Sequence, residues 1–178
     1  MQIILRILLA FVTPTSDADA EALQRFAPKY ITIEDAREHL WAARVAATIY
    51  DVDMDMILAI SWHESRFQSG AVGPERGKRV SCGVMQPFPT KKCVEKTLLA
   101  QYIDGTRHWA MDWKRAGDVR NNREAILGYA GGYAAIRRCR MGPVLRYKTH
   151  GDDLCRTPEV FSAIRTRIRR ARQTQPAS

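Results

Sequence analysis

The segment Ile57-Leu58-Ala59-Ile60-Ser61-Trp62-His63-Glu64-Ser65-Arg66-Phe67 puts one carboxylate at the end of an apolar run. Ile57, Ile60 and Glu64 stand three and four residues apart, so on a helix they share a face. Glu64 would also sit in the last turn. Desolvation and the negative end of the helix dipole both disfavour its charged form. Both raise the pKa, which is what a general acid near neutral pH requires. The plain alternative is a half-exposed Glu at a helix end. His63-Glu64 also begins a zinc-helix pattern, but that pattern needs a second His four residues after the first, and position 67 is Phe67. No metal or cofactor is therefore expected, and His63 is read as packing beside the site. The chain has no Gly-rich phosphate loop followed by Lys, no GxGxxG after a strand and no Ser in a GxSxG elbow.

Three segments follow one another in order: Glu64-Ser65-x-Phe67, then Gly83-Val84-Met85-Gln86 with Pro89 close behind, then Tyr129-Ala130-Gly131-Gly132. Together, across residues 57–133, they resemble the soluble lytic transglycosylase family, whose fold is goose-type-lysozyme-like. The resemblance implies that Glu64 is the catalytic acid. It implies that Met85 and Gln86 line the sugar cleft, that Tyr129 sits beside Glu64 and that Ser65 helps position the substrate. The implied substrate is a peptidoglycan glycan strand, cut between N-acetylmuramic acid and N-acetylglucosamine with a 1,6-anhydro product. Glycosidases usually need two carboxylates, whereas this route needs one. Two departures stand out. The family's Asn after the Tyr is Ala130 here, and Gly131 replaces Ala, which removes a substrate hydrogen bond. The loop from Glu64 to Gly83 is longer than usual and carries Gly73-Pro74-Glu75-Arg76-Gly77. Glu75 is the candidate second acid if the enzyme is instead a hydrolytic muramidase.

The elements that must hold these residues read as helices, and strand signals are nearly absent. Thr32 followed by Ile33-Glu34-Asp35 is a helix start, with Leu40, Ala43, Ala47 and Tyr50 at helical spacing. Asp53 can cap a second helix running to Glu64. Gly70 to Gly83 is an irregular loop. A long helix is expected over residues 97–115. Another starts at Asn122, breaks at Gly131-Gly132 and resumes toward Cys139. Thr157-Pro158-Glu159 combines a cap, a Pro at the first helical position and an early acid. The expected architecture is all-α: a lysozyme-like single domain with a central irregular loop, braced by disulfides.

Composition fits one globular domain. The chain has 178 residues, 46% hydrophobic and 26% charged, which excludes a disordered chain, a collagen-like fibre and a multi-pass membrane protein. Residues 1–20 read as a cleaved signal peptide, with an ordinary buried segment as the alternative. The apolar run Ile3 to Val12 is too short to span a bilayer, and Ala18-Asp19-Ala20 fits a small-x-small cleavage pattern. The lone Arg6 inside that run departs from the usual layout. The domain proper would then be residues 21–178, periplasmic or secreted. Export makes Cys82, Cys93, Cys139 and Cys155 disulfide candidates, with Cys82–Cys93 and Cys139–Cys155 favoured because each closes a short loop; four free buried thiols are the alternative. Net charge is +9. Arg165, Arg169 and Arg172 line one face of the last helix, opposite Ile164, Ile168 and Ala171. That face could be plainly solvated, or could meet an anionic wall polymer or membrane. A basic binding protein without catalysis is the rival from another class. A monomer with no nucleic-acid partner is expected. Trp41, Trp109, Trp113 and Tyr102 are read mainly as core.

Overall fold

The computed structural model describes residues 2–73, 80–87, 96–115, 122–140, 148–149 and 152–174. It is predominantly helical, as expected for an all-α chain. Among the described residues seven α-helices follow in order: α1 (Gln2–Val12), α2 (Asp17–Phe26), α3 (Ile33–Tyr50), α4 (Met54–Ser65), α5 (Leu98–Arg115), α6 (Asn122–Arg140) and α7 (Thr157–Gln173). The strands β1 (Lys148–Thr149) and β2 (Asp152–Asp153) form a minimal antiparallel pair.

The caps follow from residue chemistry. Thr32 and Asp35 form a reciprocal capping box at the start of α3, at 2.8 and 3.1 Å. Asp53 caps α4 by accepting from the Asp55 backbone N–H at 3.0 Å. Two sequence expectations are corrected. α6 does not break at Gly131-Gly132 but runs on to Arg140. Each glycine costs about 1 kcal/mol in a helix interior; burial of Leu127, Ala135 and Ile136 on either side opposes that cost. Thr157 is not a cap either. A 3-10 turn over Leu154–Arg156 feeds directly into α7, so Thr157 lies inside the helix and buried.

α4 is the centre of the domain. Met56 to Ile60 are at most 2% exposed, and Ser61 is fully buried. A helix apolar all round is a core helix. α3 packs against α5, α2 and α4, and α7 lies along α4 and α2. The shared core includes Leu23, Leu40, Ile57, Ile60, Tyr102, Trp109 and Phe161.

The first twenty residues are built into this body. α1 lies on α3, where the Trp41 indole Nε1–H donates to the Phe11 carbonyl at 3.3 Å and the two rings meet edge to face. Ile4, Leu8, Leu9, Phe11 and Val12 remain exposed. Among the described residues no helix is long and apolar enough to cross a membrane. Ser16 caps α2 through the Asp19 N–H, and Ala20 is fully buried.

Candidate active site

Apart from Met54 at its start, α4 reaches the surface only in its last turn. Trp62, His63 and Glu64 are each partly exposed, and the Glu64 side chain keeps 15% of its accessible area. His63 Nδ1 lies 3.3 Å from Glu64 Oε1, and the His63 ring packs edge-on against Phe161 of α7 at 4.6 Å. That is the flanking place expected for His63. After Ser65 the chain takes two consecutive left-handed residues, Arg66 (φ 57°) and Phe67 (φ 66°). Such residues cost roughly 1–2 kcal/mol each. Burial of the Phe67 ring and stacking of the Arg66 guanidinium over Trp62 at 4.7 Å hold the turn.

The three motif segments are linked in series, the first to the second through Ser65 and the second to the third through Tyr129. The Ser65 hydroxyl lies 2.7 Å from the Val84 carbonyl and 3.0 Å from the Ser61 carbonyl, as donor to both. The Tyr129 hydroxyl on α6 donates to the Met85 carbonyl, and its ring meets Trp109 edge to face. The Gln86 amide donates to the Ala71 and Gly83 carbonyls at 3.0 and 3.3 Å, tying down the base of the long loop. The loop is also closed by Gly73 N–H to Ser81 O and Gly83 N–H to Ala71 O, both at 2.9 Å.

Two residues read as substrate contacts are therefore joints. Ser65 is buried with its hydroxyl committed to the backbone. Met85 is fully buried against α5, where Thr106 Oγ1 approaches its sulfur at 3.8 Å. Gly105 makes this possible: a Cβ there would stand 2.5 Å from Met85 Cβ. Gln86 and Tyr129 stay partly exposed, Gln86 within the 83–86 segment and Tyr129 bonded to it through the Met85 carbonyl. Sequence reasoning missed Gln101, whose side-chain oxygen accepts from the Val84 N–H at 2.8 Å. Gly83 has φ 85°, and a Cβ on it would meet that same Gln101 oxygen at 2.6 Å. A glycine at the head of the motif and another inside α5 were the only signals of this close packing.

A buried polar pair lies under the site. His39 of α3 is 4% exposed, and its Nδ1 is 2.9 Å from the Tyr102 hydroxyl. The ring is also hydrogen-bonded to the Phe67 backbone. Burial pushes the imidazole down to about 4, against a smaller opposing pull from Asp35, and burial pushes the Tyr102 phenol up. His39 is thus neutral in the folded protein at neutral pH. Between pH about 6.5 and about 4 the unfolded chain binds a proton that the folded chain refuses. Stability then falls as pH falls through that window, by about 3 kcal/mol from this group. Urea unfolding of His39→Gln should lose that part of the slope of stability against pH; an unchanged slope would refute the assignment.

The basic stripe of α7 is paired with aspartates, although Arg169 keeps 43% of its side-chain area exposed. Arg165 pairs with Asp53, Arg169 with Asp53 at 3.0 Å and Asp55 at 2.9 Å, and Arg172 with Asp19 at 2.8 Å and Asp55 at 2.6 Å. The two oxygens of Asp55 each take a different arginine. Burial opposes the charge of Asp19, but hydrogen bonds from Arg172 and Ser16 hold its carboxyl below the usual range. Arg165, Arg169 and Arg172 therefore bind the amino-terminal end of α4 to α7 and α2, and an anionic polymer would have to compete with these aspartates for them.

Cys139 and Cys155 are joined, with Cα atoms 5.5 Å apart, linking the end of α6 to the turn before α7. Cys82 is also disulfide-bonded. Cys93, Pro89 and Glu75 lie outside the described residues. Trp109 and Tyr102 are core, Trp41 is half-buried against α1, and the Trp113 side chain lies outside the description. Among the described residues no group of three or more His, Cys, Asp or Glu could hold a metal. Comparison with protein-family models, curated proteins and solved structures finds no match.

Proposed function

We propose that this chain is a peptidoglycan lytic transglycosylase with a goose-type-lysozyme-like domain. The observation that carries the reading is the linkage of residues 64–67, 83–86 and 129, distant in sequence, through the Ser65–Val84 and Tyr129–Met85 hydrogen bonds, with Glu64, the neighbour of Ser65, partly exposed. Glu64 donates its proton to the glycosidic oxygen as the bond from that oxygen to C1 of the muramic acid breaks. The 6-hydroxyl oxygen of the same sugar then bonds to C1, and Glu64 takes the hydroxyl proton back. No water is consumed, and one residue is acid and then base. The 6-hydroxyl is already tethered, so its effective concentration is high. Gln86 and Tyr129 flank the glycan. The cleft wall is braced on one side by Cys82–Cys93 and at the far end of α6 by Cys139–Cys155. No cofactor takes part, and the protein acts as a monomer in the periplasm or outside the cell once residues 1–20 are removed.

Digestion of purified peptidoglycan followed by mass analysis tests the reading. The expected products end in 1,6-anhydro-N-acetylmuramic acid, each lighter by one water than a hydrolase product. Glu75→Gln should keep the rate within about tenfold, since the one-carboxylate route gives a second acid no step to perform and leaves it only steering. Reducing-end products with an inactive Glu75→Gln variant would make the protein a two-carboxylate muramidase. No products at all would favour a basic wall-binding protein.

A further inference from the structure

α7 carries five arginines, Arg165, Arg167, Arg169, Arg170 and Arg172, while the aspartates facing it are Asp19, Asp53 and Asp55. The three aspartates take Arg165, Arg169 and Arg172. Arg167 and Arg170 are left over. Both are exposed, and both line a cavity of about 710 Å³ between α6 and α7. Arg123 of α6 lines the opposite side, with Glu159 as its counter-charge. Arg165 also lines this cavity, and its Nε–H is buried with no acceptor among the described residues. A buried donor without an acceptor costs about 1–3 kcal/mol. The exposed hydroxyl of Ser162 adds a further donor. Arg170 forms no ion pair among the described residues, and Arg167 lies over the Phe26 ring at 5.3 Å, which leaves its fork of donors open.

We propose that this cavity is a binding site for a multiply charged oxyanion of the phosphate or phosphodiester class. With Arg123 paired to Glu159 and Arg165 to Asp53, the guanidinium groups of Arg167 and Arg170 have no carboxylate partner among the described residues and leave the cavity wall positive. Arginine forks match phosphate oxygens two at a time, which is the geometry of the strong charge-assisted bonds. The site is distinct from the Glu64 turn. Met56, which lines it, stands eight residues before Glu64 on α4, or about 12 Å along the helix axis. The proposal does not rest on the cleavage activity.

Titration of the whole chain with sodium tripolyphosphate, by calorimetry at about 0.15 M salt where long-range attraction is screened, tests it. Saturable binding of one equivalent is expected, weakened at least about tenfold in Arg170→Ala and further in Arg167→Ala/Arg170→Ala. Arg25→Ala removes an exposed arginine of α2 and should leave affinity within about twofold. No binding by the parent protein, full binding by the double variant, or an equal loss in Arg25→Ala would each overturn the site. Retention of Glu64→Gln protein on sacculi distinguishes the source of the ligand. Retention on sacculi bearing a phosphodiester polymer, lost on stripped sacculi and in the double variant on the Glu64→Gln background, assigns the polymer. Equal retention on both, with tripolyphosphate binding intact, assigns a free phosphate compound.

Discussion

Glu64→Gln is expected to abolish most lytic activity, lowering the rate at least about 100-fold, while leaving the far-ultraviolet circular dichroism unchanged. The amide keeps the shape of the carboxyl, so the contact with His63 and the turn at Arg66 and Phe67 survive. What disappears is the proton that the leaving oxygen must receive. Tyr129→Phe makes a useful companion. It removes the bond to the Met85 carbonyl and should loosen the 83–86 segment without removing the acid, so activity should fall by less than in Glu64→Gln. Near-normal turnover in Glu64→Gln would remove Glu64 from the mechanism.

The second large effect is on stability. In the full chain, with residues 1–20 in place, Asp55→Ala leaves Arg172 without one of its two carboxylates and Arg169 without its 2.9 Å partner. The Asp55 side chain is 11% exposed and that of Arg172 21%, so this is a largely desolvated pair. Breaking such a pair from one side costs about 3–5 kcal/mol, because an uncompensated charge stays buried. Arg169 is 43% exposed and adds little beyond that, since water screens it. For a chain of this size the melting temperature should drop on the order of 10 °C. Thermal and urea unfolding measure it. A loss under about 1 kcal/mol would show that the network contributes little. Asp55→Leu with Arg172→Met should recover much of the loss, because a well-packed apolar pair can replace a buried ion pair.

Local signals in the chain foretold most helices. The Thr32 box, the Asp53 cap and the apolar run to Glu64 each act within a few residues of where they occur. The errors lie where distant residues decide. Arg165, Arg169 and Arg172 read as a solvent or polymer face because Asp19, Asp53 and Asp55 are more than a hundred positions away. Ser65 and Met85 read as substrate contacts because their motif carries no mark of which way a side chain points. Gly105, Thr106 and Gln101, which settle that direction, lie on another helix. The same holds for His39, a histidine among alanines on α3 whose partner Tyr102 lies on α5. The tandem glycines misled in the opposite sense, since a local helix breaker was outweighed by packing on both sides.

The burial of α4 sets how the domain opens. Its amides from Ile57 to Ser61 sit in a helix with no solvent face. Local fraying cannot expose them, so their deuterium uptake is governed by unfolding of the whole domain. α1, docked through Trp41 with Leu8 and Val12 in solvent, can lift away by itself and exchange on a much faster clock. Ser65, at the end of α4, lies on the slow side of that divide by virtue of its tie to Val84. Glu64 is consequently anchored to the last part of the molecule to come apart, and conditions that free α1 leave the carboxylate in its place.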